Sequence, residues 1–135
     1  MTLYGVELSL CTDAEEVASV VANELIAGAR SGKSLVLTGG GTPRRAYELA
    51  AERELRAIPA QATLEPFVER VTLTVPVLAS APEVVFIVTG EDKADAVERA
   101  FGRPPGPETP SSLIRSAQGR TRVVADAAAA SRLSA

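Results

Sequence analysis

The stretch that decides the fold is VVFIVTGEDKADAVERAF, residues 84–101. Its first six residues form an apolar, mostly β-branched run, which is typical of a strand buried on both faces of a sheet. Gly90 interrupts this run, and Ala94, Val97 and Phe101 then recur at helical spacing. The stretch therefore predicts a buried strand that leads through a glycine turn into an amphipathic helix.

Working outward, the same alternation of strand and helix continues. Further strands are predicted at residues 6–10, 34–38 and 121–125, with an extended segment at 70–73. Helices are predicted at residues 14–30, 43–55 and 127–133, with short helical turns after residue 73 and at 111–116. This order predicts an α/β fold, in which one parallel sheet carries helices on both faces. The length of 135 residues suits a single domain, residues 1–135.

Two helix starts carry recognisable signals. Thr12, followed three residues later by Glu15, has the pattern of a capping box. Pro43 suits the first position of the second helix, with Thr42 as its N-cap. We therefore expect Thr12 and Thr42 to be the N-caps of these two helices.

Composition narrows the classes of function. The formal net charge is −3 and aromatic residues make up 4% of the chain, which argues against nucleic acid as a partner. No signal peptide and no apolar run long enough for a membrane span is visible. The single cysteine, Cys11, suits a reducing compartment. We expect a soluble cytoplasmic protein with neither nucleic acid nor membrane as a partner.

The chain contains no histidine. Histidine is the usual general base near neutral pH and the commonest metal ligand. A histidine-dependent triad is therefore excluded, and we predict no metal and no cofactor.

The stretch SLVLTGGGTPRR, residues 34–45, joins a predicted strand to a helix through three glycines. Glycine allows backbone N–H groups to approach a ligand, and a helix N-terminus favours an anion. Arg44 and Arg45 fall in the first helical turn, where a bound phosphate would offset their unfavourable position in the helix dipole. The stretch fits a phosphate site, or equally a tight turn that binds nothing.

Lys93 follows Gly90 in the same type of junction. Ligands of open α/β sheets bind outside the carboxyl ends of the strands. Lys93 is therefore a candidate phosphate ligand, and the alternative is a solvated surface lysine.

These segments resemble the 6-phosphogluconolactonase / glucosamine-6-phosphate deaminase family. Residues 38–51, TGGGTPRRAYELAA, are similar to the family's S-G-G-S-T-P-x-x-x-Y-x-x-L loop and helix. Residues 70–101 resemble its R-V-T-L-T-x-P-V-L block followed by V-T-G-x-x-K-A. Residues 110–133 resemble its P-A-S-x-x … D-x-A-A ending. The lactonase branch fits better than the deaminase branch.

The resemblance implies a Rossmann-like, three-layer fold, shortened relative to the family, that hydrolyses 6-phosphogluconolactone in the pentose phosphate pathway. It also implies a site for a sugar 6-phosphate. The residues assigned to the phosphate are Gly39, Gly40, Gly41, Thr42, Arg44, Arg70 and Lys93. Gly41 stands where the family motif has a serine, so one hydroxyl contact differs.

The chain departs from the family pattern between residues 53 and 69. Family members carry an Asp-Glu-Arg segment and a Gly-x-Gly-His segment there, and this chain has neither. No catalytic residue is therefore assigned, since Cys11, Glu91 and Asp92 are weak candidates. Three alternatives remain open: a lactonase, a non-catalytic sugar-phosphate-binding module, and an internally deleted scaffold completed as a homodimer.

Overall fold

The computed structural model describes residues 2–33, 37, 40–53 and 75–133. The chain divides into two compact units, one formed by residues 1–17 with 73–135 and the other by residues 18–72. The first unit contains the sheet, and the second is helical in its described part.

The first unit is built on a four-stranded sheet with the order β1-β2-β4-β3. Its strands are β1 (Thr2–Leu3), β2 (Val6–Cys11), β3 (Glu83–Val88) and β4 (Arg120–Asp126). Strands β2, β4 and β3 run parallel, which confirms the predicted α/β class. Since parallel strands end at the same edge, Cys11, Val88 and Asp126 mark one edge of this sheet.

The buried strand of the sheet is β4. Residues 121–126 are all buried, whereas every residue of β3 is only half-buried. Within the described ranges, β3 pairs with β4 and with no other strand. The strand predicted at 84–89 is confirmed, but its expected burial on both faces is wrong in this part of the molecule, because β4 takes the central position.

An apolar core covers one face of this sheet and is closed by α4 (Ala94–Phe101). Its buried members are Val6, Val97, Ala100, Phe101, Val123, Ala125 and Ala129. The Phe101 ring packs edge-to-face against Phe86 of β3, with ring centroids 5.0 Å apart. The three residues predicted to face inward on this helix are all buried, so the helical spacing is confirmed.

A short hairpin that we did not predict precedes β2. Strand β1 pairs antiparallel with β2 through a two-residue turn at Tyr4 and Gly5. Both turn residues have positive φ, 46° and 78°, as a type I′ turn requires. Gly5 was a usable signal, but tyrosine rarely adopts this conformation, and so the turn was missed.

Helix α1 spans Ala14–Arg30, and its N-cap lies one residue later than predicted. Asp13 Oδ1 accepts a hydrogen bond from the Glu16 N–H at 2.8 Å, and Glu16 Oε2 accepts from the Thr12 N–H at 2.6 Å. The capping pair is therefore Asp13 with Glu16 rather than Thr12 with Glu15. The Thr12 hydroxyl also donates to Glu16, at 2.7 Å, which leaves the N-cap position to Asp13.

The described part of the second unit consists of the rest of α1 and of α2 (Gly41–Arg53). Helix α2 buries one face at helical spacing, namely Pro43, Ala46, Leu49 and Ala50. Arg53 joins the two helices, since its guanidinium donates to Asn23 Oδ1 at 2.7 Å and to Ser19 Oγ at 3.0 Å. The second helix of the prediction is thus confirmed, but it begins at Gly41 instead of Pro43.

The short helix predicted after residue 73 is confirmed, the helical turn predicted at 111–116 is shorter and begins one residue earlier, and the terminal helix is absent from the described residues 127–133. Helix α3 (Val75–Ala79) has Pro76 in its first turn, and a 3₁₀ helix spans Pro110–Leu113. Residues 127–132 form turns instead of the predicted helix. The Ser131 and Leu133 N–H groups bond carbonyls three residues back, and this tighter winding prevents a regular α-helix.

Some predictions fall outside the described residues. The strands predicted at 34–38 and 70–73 lie there, except for Leu37, which is exposed. The single-domain assignment stays a prediction. In the described ranges, no helix has both the length and the apolar character needed to cross a membrane.

Candidate functional site

The turn after β3 is the candidate site that the structure describes in most detail. Gly90 has φ 96° and ψ 146°, a conformation that is essentially restricted to glycine. A Cβ atom at this position would lie 2.7 Å from Asp92 Oδ1. The chain then forms a 3₁₀ turn, Glu91–Lys93, and continues into α4, and neither of these starts has a side-chain cap. We call residues 89–93 the Gly90 turn.

A carboxylate from β4 holds the Gly90 turn in place. The Gly90 N–H donates to both carboxylate oxygens of Asp126, at 3.2 and 3.1 Å. Asp126 Oδ1 also accepts from the Ala129 N–H at 2.8 Å. Asp126 is only 6% exposed, so these bonds are shielded from water. One buried side chain therefore links the ends of β3 and β4 with the segment that follows β4.

Lys93 lies on the surface of the Gly90 turn. Its side chain is 53% exposed, and its ammonium group pairs with the carboxylate of Asp92. The hydrogen bond from Lys93 and its charge lower the pKa of Asp92. Since exposed ion pairs of this kind contribute little, an anion can displace Asp92 from Lys93 at small cost.

Asp92 and Cys11 are a poor base and a poor nucleophile, respectively. A lowered pKa makes Asp92 a weaker base at neutral pH. Cys11, which pairs with Asp126 across the strands, is buried. Burial, with the negative charges of Glu16, Asp126 and Asp13, raises the pKa of its thiol against a smaller lowering by Arg122. Cys11 is therefore protonated near neutral pH and contributes to packing.

The glycine-rich turn before α2 is described from Gly40 onward. Gly40 has φ 119°, again in the range that favours glycine. Gly41 and Thr42 are exposed in the first turn of α2, and this turn contains no acidic residue. An α-helix leaves the N–H groups of its first turn without intrahelical partners. Anion binding at this helix start stays a prediction.

Arg44 projects from the same helix turn but is paired along the helix. Its Nε atom lies 3.2 Å from Glu48 Oε1, with both side chains substantially exposed. Such an exposed pair at i and i+4 contributes only about 0.3–0.5 kcal/mol. Arg44 can therefore turn toward a ligand with little loss of stability.

The predicted phosphate residues fall into three groups. Lys93 belongs to the first unit, whereas Gly40, Gly41, Thr42 and Arg44 belong to the second. Gly39 and Arg70 lie outside the described residues. Across the described ranges, no three Cys, Asp or Glu side chains are grouped in a way that could hold a metal ion.

Comparison with known proteins identifies the family. The model of the family described as glucosamine-6-phosphate isomerases/6-phosphogluconolactonase matches residues 51–123, which is more than half of the chain and includes the Gly90 turn. The chain belongs to this family. No solved structure gives a significant match.

Two proteins named as 6-phosphogluconolactonases are similar to parts of the chain. The probable 6-phosphogluconolactonase 2 of Oryza sativa subsp. indica is 40% identical over 76 residues, covering 53% of this chain and 27% of the relative. The 6-phosphogluconolactonase of Homo sapiens is 36% identical over 84 residues, covering 62% of this chain and 33% of the relative.

A glucosamine-6-phosphate deaminase also matches. The enzyme of Rhodopirellula baltica is 40% identical over 58 residues, covering 43% of this chain and 23% of the relative. The chain thus spans between about a quarter and a third of the length of these relatives.

Asp126 is the site residue that sequence reasoning missed. It belongs to the D-x-A-A segment noted above, so a signal was present. The pattern did not indicate that this carboxylate binds the backbone of Gly90, which is 36 residues away in sequence. Such a contact depends on the pairing of β3 with β4 and cannot be derived from local spacing.

Proposed function

We propose that this chain is a 6-phosphogluconolactonase-like protein that binds a sugar 6-phosphate through the Gly90 turn. The observation that carries the proposal is Lys93, an exposed cation on a glycine turn at the carboxyl edge of a parallel sheet, inside the family segment 51–123. Ligands of open α/β sheets bind at this edge. In this proposal, the Lys93 ammonium group pairs with the phosphate.

The glycine-rich turn is proposed separately as a phosphate-binding segment of the second unit. The residues assigned to it are Gly39, Gly40, Gly41, Thr42 and Arg44, with Arg70 as an additional cation. Support comes from the positive φ of Gly40 and from a helix start that contains no acidic residue. Backbone N–H groups and two guanidinium groups would share the charge of the phosphate.

The reaction proposed is the hydrolysis of 6-phosphogluconolactone to 6-phosphogluconate. Water adds to the lactone carbonyl carbon, the ring C–O bond breaks, and a carboxylate and a hydroxyl group result. Such a reaction needs a base and stabilisation of the developing oxyanion. The residues proposed above bind the phosphate, and we assign the base to none of them. The lone buried Cys11 supports a cytoplasmic setting for this reaction.

A non-catalytic sugar-phosphate-binding module is the second candidate. It is favoured by the absence of histidine from the sequence, the raised pKa of the Cys11 thiol and the lowered pKa of Asp92. None of these three observations argues against phosphate binding. Each argues against a group that could act as the base. For either candidate function, a homodimer that pairs the edges of two sheets stays a proposal.

Hydrolysis of 6-phosphogluconolactone near neutral pH, measured against the spontaneous rate, tests the proposal. The variants are Lys93→Ala and, as the control, Lys33→Ala, which removes another exposed lysine. A lactonase gives a rate above background that falls in Lys93→Ala and not in the control. A background rate with intact binding of 6-phosphogluconate assigns the binding module, and a background rate without binding rejects both candidates.

A further inference from the structure

We propose that Asp126 is the positioning residue of the candidate phosphate site, acting on Lys93 through the backbone of Gly90. This inference rests on the proposed function for its ligand, but its structural part can be measured without any ligand. It begins from the two hydrogen bonds that join the Gly90 N–H to the Asp126 carboxylate.

The first argument is that the Gly90 turn has no side-chain cap of its own. Its glycine holds a conformation with φ 96° and ψ 146°, and no side chain caps either the 3₁₀ turn or α4. Within the turn, the Lys93 N–H donates to the Gly90 carbonyl at 3.1 Å. The backbone position of Lys93 is thus tied to that of Gly90, and Gly90 is tied to Asp126.

The second argument is that Asp126 is suited to fix this position. It lies at the end of β4, the buried strand, and is itself 6% exposed. Its other contact, with the Ala129 N–H at 2.8 Å, fixes the direction of the carboxylate. A buried carboxylate that accepts from two separate segments of backbone holds both segments in a defined geometry.

The third argument is the chemistry of the acceptor. A carboxylate has two acceptor oxygens and no donor, whereas an asparagine amide has one acceptor oxygen and a donor NH₂ group. Because the Gly90 N–H contacts both oxygens of Asp126, Asp126→Asn keeps the shape of the side chain but sets a donor NH₂ group against this N–H. The substitution therefore disrupts the contact with Gly90 while changing the packing very little.

The matched control is Asp95→Asn. Asp95 lies on α4, is exposed, and pairs with Arg132 of the segment after β4. Its substitution weakens the attachment of that segment but leaves the Gly90 N–H bonded to Asp126. A general loosening of the segment is thereby separated from the loss of the Gly90 contact.

Hydrogen exchange of backbone amides tests the structural part. In the parent chain we expect the Gly90 amide to exchange about ten-fold or more slowly than amides of exposed turns. Asp126→Asn should remove this protection and Asp95→Asn should keep it. Fast exchange of Gly90 in the parent would overturn the inference, even if Asp126→Asn does not fold. Unchanged protection in a folded Asp126→Asn variant would overturn it as well.

Titration with 6-phosphogluconate tests the functional part, with Lys93→Ala completing a double-mutant cycle. We expect Asp126→Asn to weaken binding about ten-fold, and to add less than about two-fold in a chain that already carries Lys93→Ala. Additive losses would overturn the inference, because a merely structural residue does not act through Lys93. Failure of the parent to bind would reject the proposed function, and the exchange rate of Gly90 would then decide the inference alone.

Discussion

Two helices follow parallel strands of the first unit, and their starts are stabilised in opposite ways. After β2, helix α1 is capped by its own first residues, Asp13 and Glu16. After β3, the Gly90 turn has no side-chain cap and depends on Asp126, which is 36 residues away in sequence. Both starts carry acidic residues, but those of α1 bond to the start of the helix, whereas Asp92 of the Gly90 turn pairs with the exposed Lys93.

The difference separates stability from binding. Acidic groups at the start of α1 interact favourably with the helix dipole but repel an anionic ligand. The Gly90 turn obtains its stability from β4 and from the packing of α4. Its own acidic residues, Glu91 and Asp92, therefore cap no helix, and Lys93 stays exposed beside Asp92. The comparison therefore predicts a large loss of stability when a contact distant in sequence is removed and a small loss when a local cap is removed.

Phe101→Ala should give the largest loss of stability. Phe101 is 3% exposed and packs against Phe86 across the core beneath α4. Removing a buried ring costs about 3–5 kcal/mol in free energy of unfolding, which denaturant titration measures. The control Leu113→Ala, at a side chain that is 40% exposed, should change stability by less than about 0.5 kcal/mol. Equal effects of the two variants would contradict the core assignment.

Gly90→Ala should cost about 1–3 kcal/mol, because its backbone conformation disfavours any Cβ. The new methyl group also meets Asp92 Oδ1 at 2.7 Å. The control is Gly41→Ala, where a Cβ meets nothing within 4 Å and a helical alanine is neutral or stabilising. If Gly90→Ala unfolds at the same denaturant concentration as the parent, the strained turn is ruled out.

Asp13→Ala tests the locally stabilised start and should cost about 1 kcal/mol. The loss arises because the Glu16 N–H then has no side-chain acceptor from the cap position. Asp13→Asn should restore most of the stability, since asparagine is also a good N-cap. Thermal unfolding of the three proteins measures both effects. A cost as large as that of Phe101→Ala would mean that the two starts do not differ as described.

The smallest expected effect is a pH dependence at Glu16. Hydrogen bonds from the Thr12 backbone, and then from its hydroxyl, lower the pKa of Glu16 below its ordinary value of 4.5. A lowered carboxyl pKa stabilises the fold fully above pH 4.5 and loses that stabilisation as the pH falls through the folded value. Glu16→Gln should therefore flatten the decline of stability in this acidic window. An unchanged decline would argue against the Thr12–Glu16 contact.

Much of the first unit could be predicted from the sequence because its signals are local. The run Val84–Val88 marks β3, and the spacing of Ala94, Val97 and Phe101 marks α4. The cap of α1 was displaced by one residue, because Thr12 and Asp13 are both good cap residues and only the fold selects between them.

The parts that could not be predicted depend on contacts distant in sequence. β4 rather than β3 takes the buried position, because the order of strands in a sheet is not encoded in any single strand. The Asp126 contact with Gly90 follows from that order. Of the candidate site, Lys93 and the glycine turns were recognisable from sequence, whereas the residue that fixes the Gly90 turn was not.

Calorimetric titration of 6-phosphogluconate into the parent, Lys93→Ala and Lys33→Ala tests the central claim most directly. We expect the parent and Lys33→Ala to bind alike, and Lys93→Ala to lose about 1.5–3 kcal/mol of binding free energy, as for a hydrogen bond to a charged group. Equal binding by all three proteins, or no binding by the parent, would contradict a phosphate site at the Gly90 turn.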